Sequence, residues 1–142
     1  MKFKFYIGID PGVKTGIALY DTERKGFEMI QTSGIVQAQN FLARFPSKER
    51  LFVRLEDARK RTWIPKERDI KQVMGRAKGA GSVSRDCQIW EEFLLYMGIP
   101  YELVAPQNNK TKLDAKLFSN YTGWKMKTNE HGRDAAMLVF GF

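Results

Sequence analysis

The first residues of the chain alternate. Phe3, Phe5, Ile7 and Ile9 stand against Lys2, Lys4, Tyr6 and Gly8. A period of two predicts a strand with one apolar face. Asp10 ends that strand on the face of Gly8, where no side chain crowds it. Pro11-Gly12 then signals a turn. Gly16 to Tyr20 follows as a second strand, so the unit reads as a hairpin with a carboxylate at its open end. After Lys25-Gly26, Phe27 to Thr32 reads as a third strand, and short turns between short strands predict an antiparallel meander. Ala38, Phe41, Leu42 and Phe45 fall at helical spacing, with Pro46 as the stop. In Leu51 to Glu56, Leu51, Val53 and Leu55 face one way and Phe52, Arg54 and Glu56 the other. A helix between strands implies a crossover and a parallel partner. That places Glu56 at the same end of the sheet as Asp10.

From Asp57 to Gly81 the period is lost, and Gly75, Gly79 and Gly81 interrupt the segment. Periodicity returns with Val83, Cys87, Trp90, Leu94 and Met97, a helix with one apolar stripe. Ser82 or Ser84 can cap its start and Gly98 its end. Tyr101 to Ala105 reads as a fifth strand. Lys112 to Tyr121 reads as a helix closed by Gly123. A last helix opens on the N-cap Asn129 and runs toward Phe142. These elements predict an α/β fold: a five-stranded mixed sheet, three antiparallel strands then two parallel, flanked by helices. At 142 residues the expectation is one domain spanning the whole chain.

Charge changes this picture. The formal net charge is +8, which implies a polyanionic partner, nucleic acid or an anionic membrane surface. Eight Lys or Arg residues lie between positions 57 and 81, against three acidic ones, so five of the eight excess charges sit beside Glu56. Arg59, Lys60, Arg61, Arg76 and Lys78 are the candidate nucleic-acid contacts. Trp63 offers a face for an unpaired base or packs the arm onto its own domain. No apolar run is long enough to span a bilayer, and Lys2 and Lys4 interrupt the first apolar stretch as a signal peptide would not. Cys87 is the single cysteine, which excludes an intrachain disulfide and fits a reducing, cytoplasmic setting. Its place in the apolar stripe makes it a core residue.

The candidate chemistry is spread along the chain. Asp10 ends strand one, Glu56 ends strand four, and His131 and Asp134, three apart, share one side of the final helix. Singly, each has an ordinary explanation. A strand-end Asp caps a turn, and acids favour helix N-termini.

Together, and in this order of elements, they resemble the RNase H-like fold and, within it, the RuvC-type Holliday junction resolvases. Three matches carry the resemblance. They are Gly8-Ile9-Asp10-Pro11-Gly12 with Thr15-Gly16, Glu56 followed by Gly75-Arg76-Ala77-Lys78-Gly79, and His131-Gly132-Arg133-Asp134-Ala135-Ala136. Where the family has aromatic residues soon after the strand-four Glu, this chain has Arg59, Lys60 and Arg61. It is also shorter than typical bacterial members and is similar to phage-type ones.

The resemblance implies a metal-dependent endonuclease that resolves four-way DNA junctions, working as a homodimer, with a 5′-phosphate and a 3′-hydroxyl as products. The helix from Val83 to Met97 is the expected dimer interface, unless its stripe is core. Asp10, Glu56, His131 and Asp134 are the expected catalytic and metal-binding residues. Clustered carboxylates call for a cation, and Mg2+ or Mn2+ suits oxygen donors. Two ions would clamp attacking and leaving oxygens, with Asp10 bridging them. Lys112 and Lys116 are the candidates for a catalytic lysine. A sugar-kinase or actin-type phosphotransfer domain also opens on an Asp-x-Gly turn, but needs a second copy of the fold. An inactive or differently selective RNase H-like nucleic-acid-binding protein is the remaining alternative.

Overall fold

The computed structural model describes residues 3–60, 70–106 and 113–142, with 70–80 as helix backbone. Five strands form one sheet: β1 (Phe5–Asp10), β2 (Thr15–Asp21), β3 (Gly26–Ser33), β4 (Leu51–Glu56) and β5 (Tyr101–Val104). Their spatial order is β3-β2-β1-β4-β5. β1 pairs antiparallel with β2 and β2 with β3, whereas β4 runs parallel to β1 and β5 parallel to β4. The mixed sheet is the one the sequence predicts. The last register pairs, Asp10 with Gly16 and Ile9 with Leu55, bring the ends of β1 and β4 side by side. Asp10 stands at the turn end of the β1–β2 hairpin, not its open end. The turn is closed by the buried Thr15, whose hydroxyl donates to the Gly12 carbonyl at 2.7 Å.

Alternation gives the sheet two different faces. Ile7, Ile9, Ile17, Leu19, Leu51, Val53 and Leu55 point to one side, where they meet Ala38 and Leu42 of α1 (Ile35–Arg44) and Trp90 and Leu94 of α2 (Ile70–Met97). The other face carries small and aromatic residues. Ala18 packs with Phe118 of α3 (Ala115–Thr122) and with Ala135 and Ala136 of α4 (Glu130–Met137). Tyr20 and Val104 pack with Leu138 and Val139 beyond α4. Asp10 and Glu56 belong to this second face, as Gly8 and Arg54 do.

Helix α2 departs from expectation. It begins at Ile70, not near Val83, and runs for 28 residues, about 42 Å at 1.5 Å per residue. Gly75, Gly79 and Gly81 lie within it. An internal glycine costs a helix about 1 kcal/mol but does not terminate it, and the intervening Lys, Gln, Met, Arg and Ala residues favour helix. Ser82 and Ser84 are therefore interior residues and not caps. Gly98, at φ +69°, ends the helix as expected. The stripe Cys87, Trp90 and Leu94 is fully buried against the sheet, so it is core and not an interface. The face of α2 left to solvent carries Leu95 and Tyr96.

Candidate active site

Two glycines decide how close α4 comes to the sheet. A Cβ on Gly8 would lie 2.0 Å from the Ala135 carbonyl oxygen, and one on Gly16 would lie 1.9 Å from that of His131. The Gly8 face is not open, as the sequence suggested, but filled by the helix backbone itself. Gly132, Ala135 and Ala136 are the buried residues on the helix side. Small residues on both partners let the first turn of α4 rest on the ends of β1 and β2. The Asn129 side chain caps that turn, accepting from the Gly132 N–H at 3.0 Å. It also accepts from the Thr32 hydroxyl, which fixes the cap to β3.

This contact brings the residues of the candidate site together. His131 Nδ1 lies 3.3 Å from Asp10 Oδ2, within hydrogen-bond distance. Its Nε2 lies 3.7 Å from Glu130 Oε1. The Asp10 side chain is only 14% exposed. Its pKa is pushed up to about 9, first by burial, then by a hydrogen bond with the Glu56 carboxyl and by the negative charges of Glu56, Asp134 and Glu130. Asp10 is thus the centre of a group of acids drawn from two parallel strands and a helix. Glu130 is an addition to the expected set. It immediately precedes His131, and helix geometry alone would have placed it near the same end.

Whether a divalent cation suits these residues can be judged from Asp10. Oxygen donors crowded without a balancing charge retain a proton, and Asp10 does so far above the ordinary carboxylate range. Three carboxylates and an imidazole are the donor set that accepts Mg2+ or Mn2+. Among the described residues, no three His, Cys, Asp or Glu side chains already stand as a formed metal cage. The donors suit the ion in chemistry, and Asp10 is already paired with His131 and Glu56.

No protein-family model matches the chain, and no curated protein matches its sequence. A solved structure does. The chain is similar to T. thermophilus RuvC, determined in complex with Holliday junction substrate, at a TM-score of 0.57 and 18% identity. The match covers 96% of this chain and 90% of that one. The fold is RNase H-like.

On this RNase H-like frame the expected nucleic-acid contacts divide. Arg59 is not a free cation. Its Nε donates to Asp57 Oδ1 at 2.7 Å, and its Nη2 donates to Asp57 Oδ2 and to Glu91. Lys60 is exposed, its Nζ 3.5 Å from the Leu103 carbonyl. Arg76 and Lys78 lie on the described backbone of α2. Arg61, Trp63 and Lys112 fall outside the described residues. Lys116 is exposed in the first turn of α3. Arg133, within the third sequence match, is structural: it donates to the carbonyls of Leu113 and Thr128. Sequence reasoning passed over Lys14, exposed in the turn directly after Asp10. A basic residue in the loop that follows a strand-end acid was the available signal.

Proposed function

We propose that the protein is a divalent-cation-dependent endonuclease that cuts branched DNA, with the four-way junction as its substrate. The observation that carries this reading is the gathering of Glu56, Asp134 and His131 around the half-buried Asp10 at one end of an RNase H-like sheet. The net charge of +8 supports a polyanionic substrate. The similar RuvC structure, with its Holliday junction, supports branched DNA as that substrate.

Asp10, Glu56, Asp134 and His131 would hold Mg2+ or Mn2+. When bound, such a cation supplies charge stabilisation and an acidified water for in-line phosphodiester hydrolysis. The residues themselves have separable tasks. Asp10 stands between the strand-four acid and α4, so it is the donor both sides share. His131, in contact with Asp10, orients that carboxyl or the water beside it. The exposed Lys14 is placed to meet a phosphate approaching the Asp10 turn. A two-fold dimer would present two such sites to the two equivalent strands of a junction, with Leu95 and Tyr96 on the solvent face of α2 as its contact. Sedimentation with and without junction tests the dimer, and a monomer under both conditions refutes it.

The function is tested by incubating end-labelled four-way junction, linear duplex and RNA–DNA hybrid with and without magnesium. The expected result is paired nicks in the junction alone, dependent on magnesium, leaving 5′-phosphates. Cutting without any divalent cation, or binding of junction with no cutting under any metal, overturns the reading. The second outcome would leave a nucleic-acid-binding protein.

A further inference from the structure

Beyond the acids themselves, a second polar cluster lies directly behind Glu56. Asp57, the next residue, is buried, and its backbone N–H donates to the Val104 carbonyl at 2.8 Å, extending the β4–β5 pairing past Glu56. The Asp57 carboxylate accepts three bonds from Arg59: its backbone N–H at 3.0 Å, Nε at 2.7 Å and Nη2 at 3.2 Å. The same Nη2 reaches Glu91 on α2. Glu91 is closed from the far side by the Tyr101 hydroxyl of β5 at 2.6 Å. The Cys87 thiol of α2 meets the Glu56 carbonyl at 3.5 Å.

The arrangement is a clamp. It ties the residue after Glu56 to α2 through one guanidinium, and through Glu91 to Tyr101 of β5. A planar fork that answers two carboxylates at once fixes direction as well as distance. The electrostatics agree. Hydrogen bonds from Tyr101 and Arg59 hold the Glu91 pKa below its ordinary value. Those to Asp57 and Glu91 hold that of Arg59 above its own. Neither the carboxyls of Asp57 and Glu91, nor the Arg59 guanidinium, nor the Tyr101 hydroxyl pairs with Asp10 among the described residues, so the cluster does not belong to the donor set.

We propose that Arg59 is a positioning residue: clamped between Asp57 and Glu91, it sets the direction in which Glu56 leaves β4 and thereby the divalent-cation affinity of the site. This rests on the cleavage reading for its cation and departs from the expectation that Arg59 contacts DNA. Outer-shell partners that orient metal ligands are commonly worth about 10–100-fold in metal affinity.

The test uses the full chain with Mn2+ as the probe. Isothermal titration gives the Mn2+ dissociation constant of wild type, Arg59→Ala, Arg59→Lys and Glu91→Gln, at a temperature where circular dichroism shows each folded. Junction affinity is measured alongside in EDTA. Expected are Mn2+ binding weakened about tenfold or more in Arg59→Ala, with partial recovery in Arg59→Lys, and weakened to a lesser degree in Glu91→Gln. Cation-free junction affinity should stay within about twofold, since the Arg59 guanidinium is already taken up by Asp57 and Glu91. If Arg59→Ala does not fold, Arg59→Lys and Glu91→Gln decide the matter by the same readout. A lowered melting temperature with unchanged Mn2+ affinity in the folded variants overturns the inference alone, leaving the cleavage reading intact. So does a loss of junction affinity with a shallower salt dependence and unchanged Mn2+ binding. Wild type that binds no Mn2+ overturns both.

Discussion

Asp10 holds its proton because it is half-buried among other acids, and this has consequences that do not need the substrate. In the unfolded chain its pKa is near 3.8, and in the native protein about 9. Below the lower value both states are protonated and Asp10 costs nothing. Between the two, unfolding releases a proton, so cation-free stability falls as pH rises through the window. Asp10→Asn removes the penalty. We expect it to raise the cation-free melting temperature at pH 7, by at least ~1 kcal/mol in stability, and to flatten the pH dependence between pH 4 and 9. The same variant should abolish junction cutting while leaving junction binding nearly intact. Calorimetric melting across pH and a nicking assay check the two halves, and a destabilised Asp10→Asn protein would contradict the first. His131→Ala removes a neighbour of Asp10 but no carboxylate. It should slow cutting less severely, by about 10- to 1000-fold in single-turnover assays. At this scale the sequence was legible where strand alternation applies: Asp10 and Glu56 emerge from counting by twos. Arg59 was not, because a run of basic residues does not say which of them already has a partner. Its second carboxylate is Glu91, 32 residues further on, and nothing local announces it.

The seam between α4 and the sheet is the element on which the site depends. With no side chain between backbones, a single methyl at Gly16 must push the helix outward, because the Cβ would fall 1.9 Å from the His131 carbonyl oxygen. Gly16→Ala should destabilise by about 1–3 kcal/mol or more through overpacking. It should also lower cutting further than its stability loss explains, since His131 and Asp134 travel with the helix. Denaturant titration and nicking rates well below the melting temperature separate the two effects. A Gly16→Ala protein with full activity would mean that the seam does not set the site. Helix α4 itself was legible from its Asn129 cap, and the strands from their alternation. The first turns of α2 were not, because three glycines within seven residues read as a break. The packed half of the helix, held by Trp90 and Leu94, outweighs their propensity. Truncating Trp90 to Ala should therefore cost about 3–5 kcal/mol, measured by urea unfolding.

For the whole molecule, charge and fold divide the labour. The acids gather at one end of the sheet, while much of the basic excess lies between residues 57 and 81. Replacing Arg76 and Lys78 together by Ala should weaken junction binding and reduce the slope of log affinity against log salt by about 2. Fluorescence anisotropy from 50 to 200 mM salt checks it, and an unchanged slope would remove both residues from the interface. The directions of the strands were legible, because a helical crossover brings β4 back parallel, whereas its place beside β1 was not. What no local pattern revealed is that Gly8 and Gly16 touch the final helix, since nearly the entire chain lies between those partners. That separation has a kinetic consequence. Contacts so distant along the chain bear a large closure cost and tend to consolidate after the local ones. The glycine seam should then be open in the folding transition state, so Gly16→Ala would hasten unfolding and barely alter refolding. A cation held by Asp10, His131 and Asp134 would tie the two sides of the same seam together. In stopped-flow chevrons Mg2+ should steepen nothing on the refolding limb and lower the unfolding limb. The lifetime of the folded protein, and not its speed of formation, would be what the ion governs.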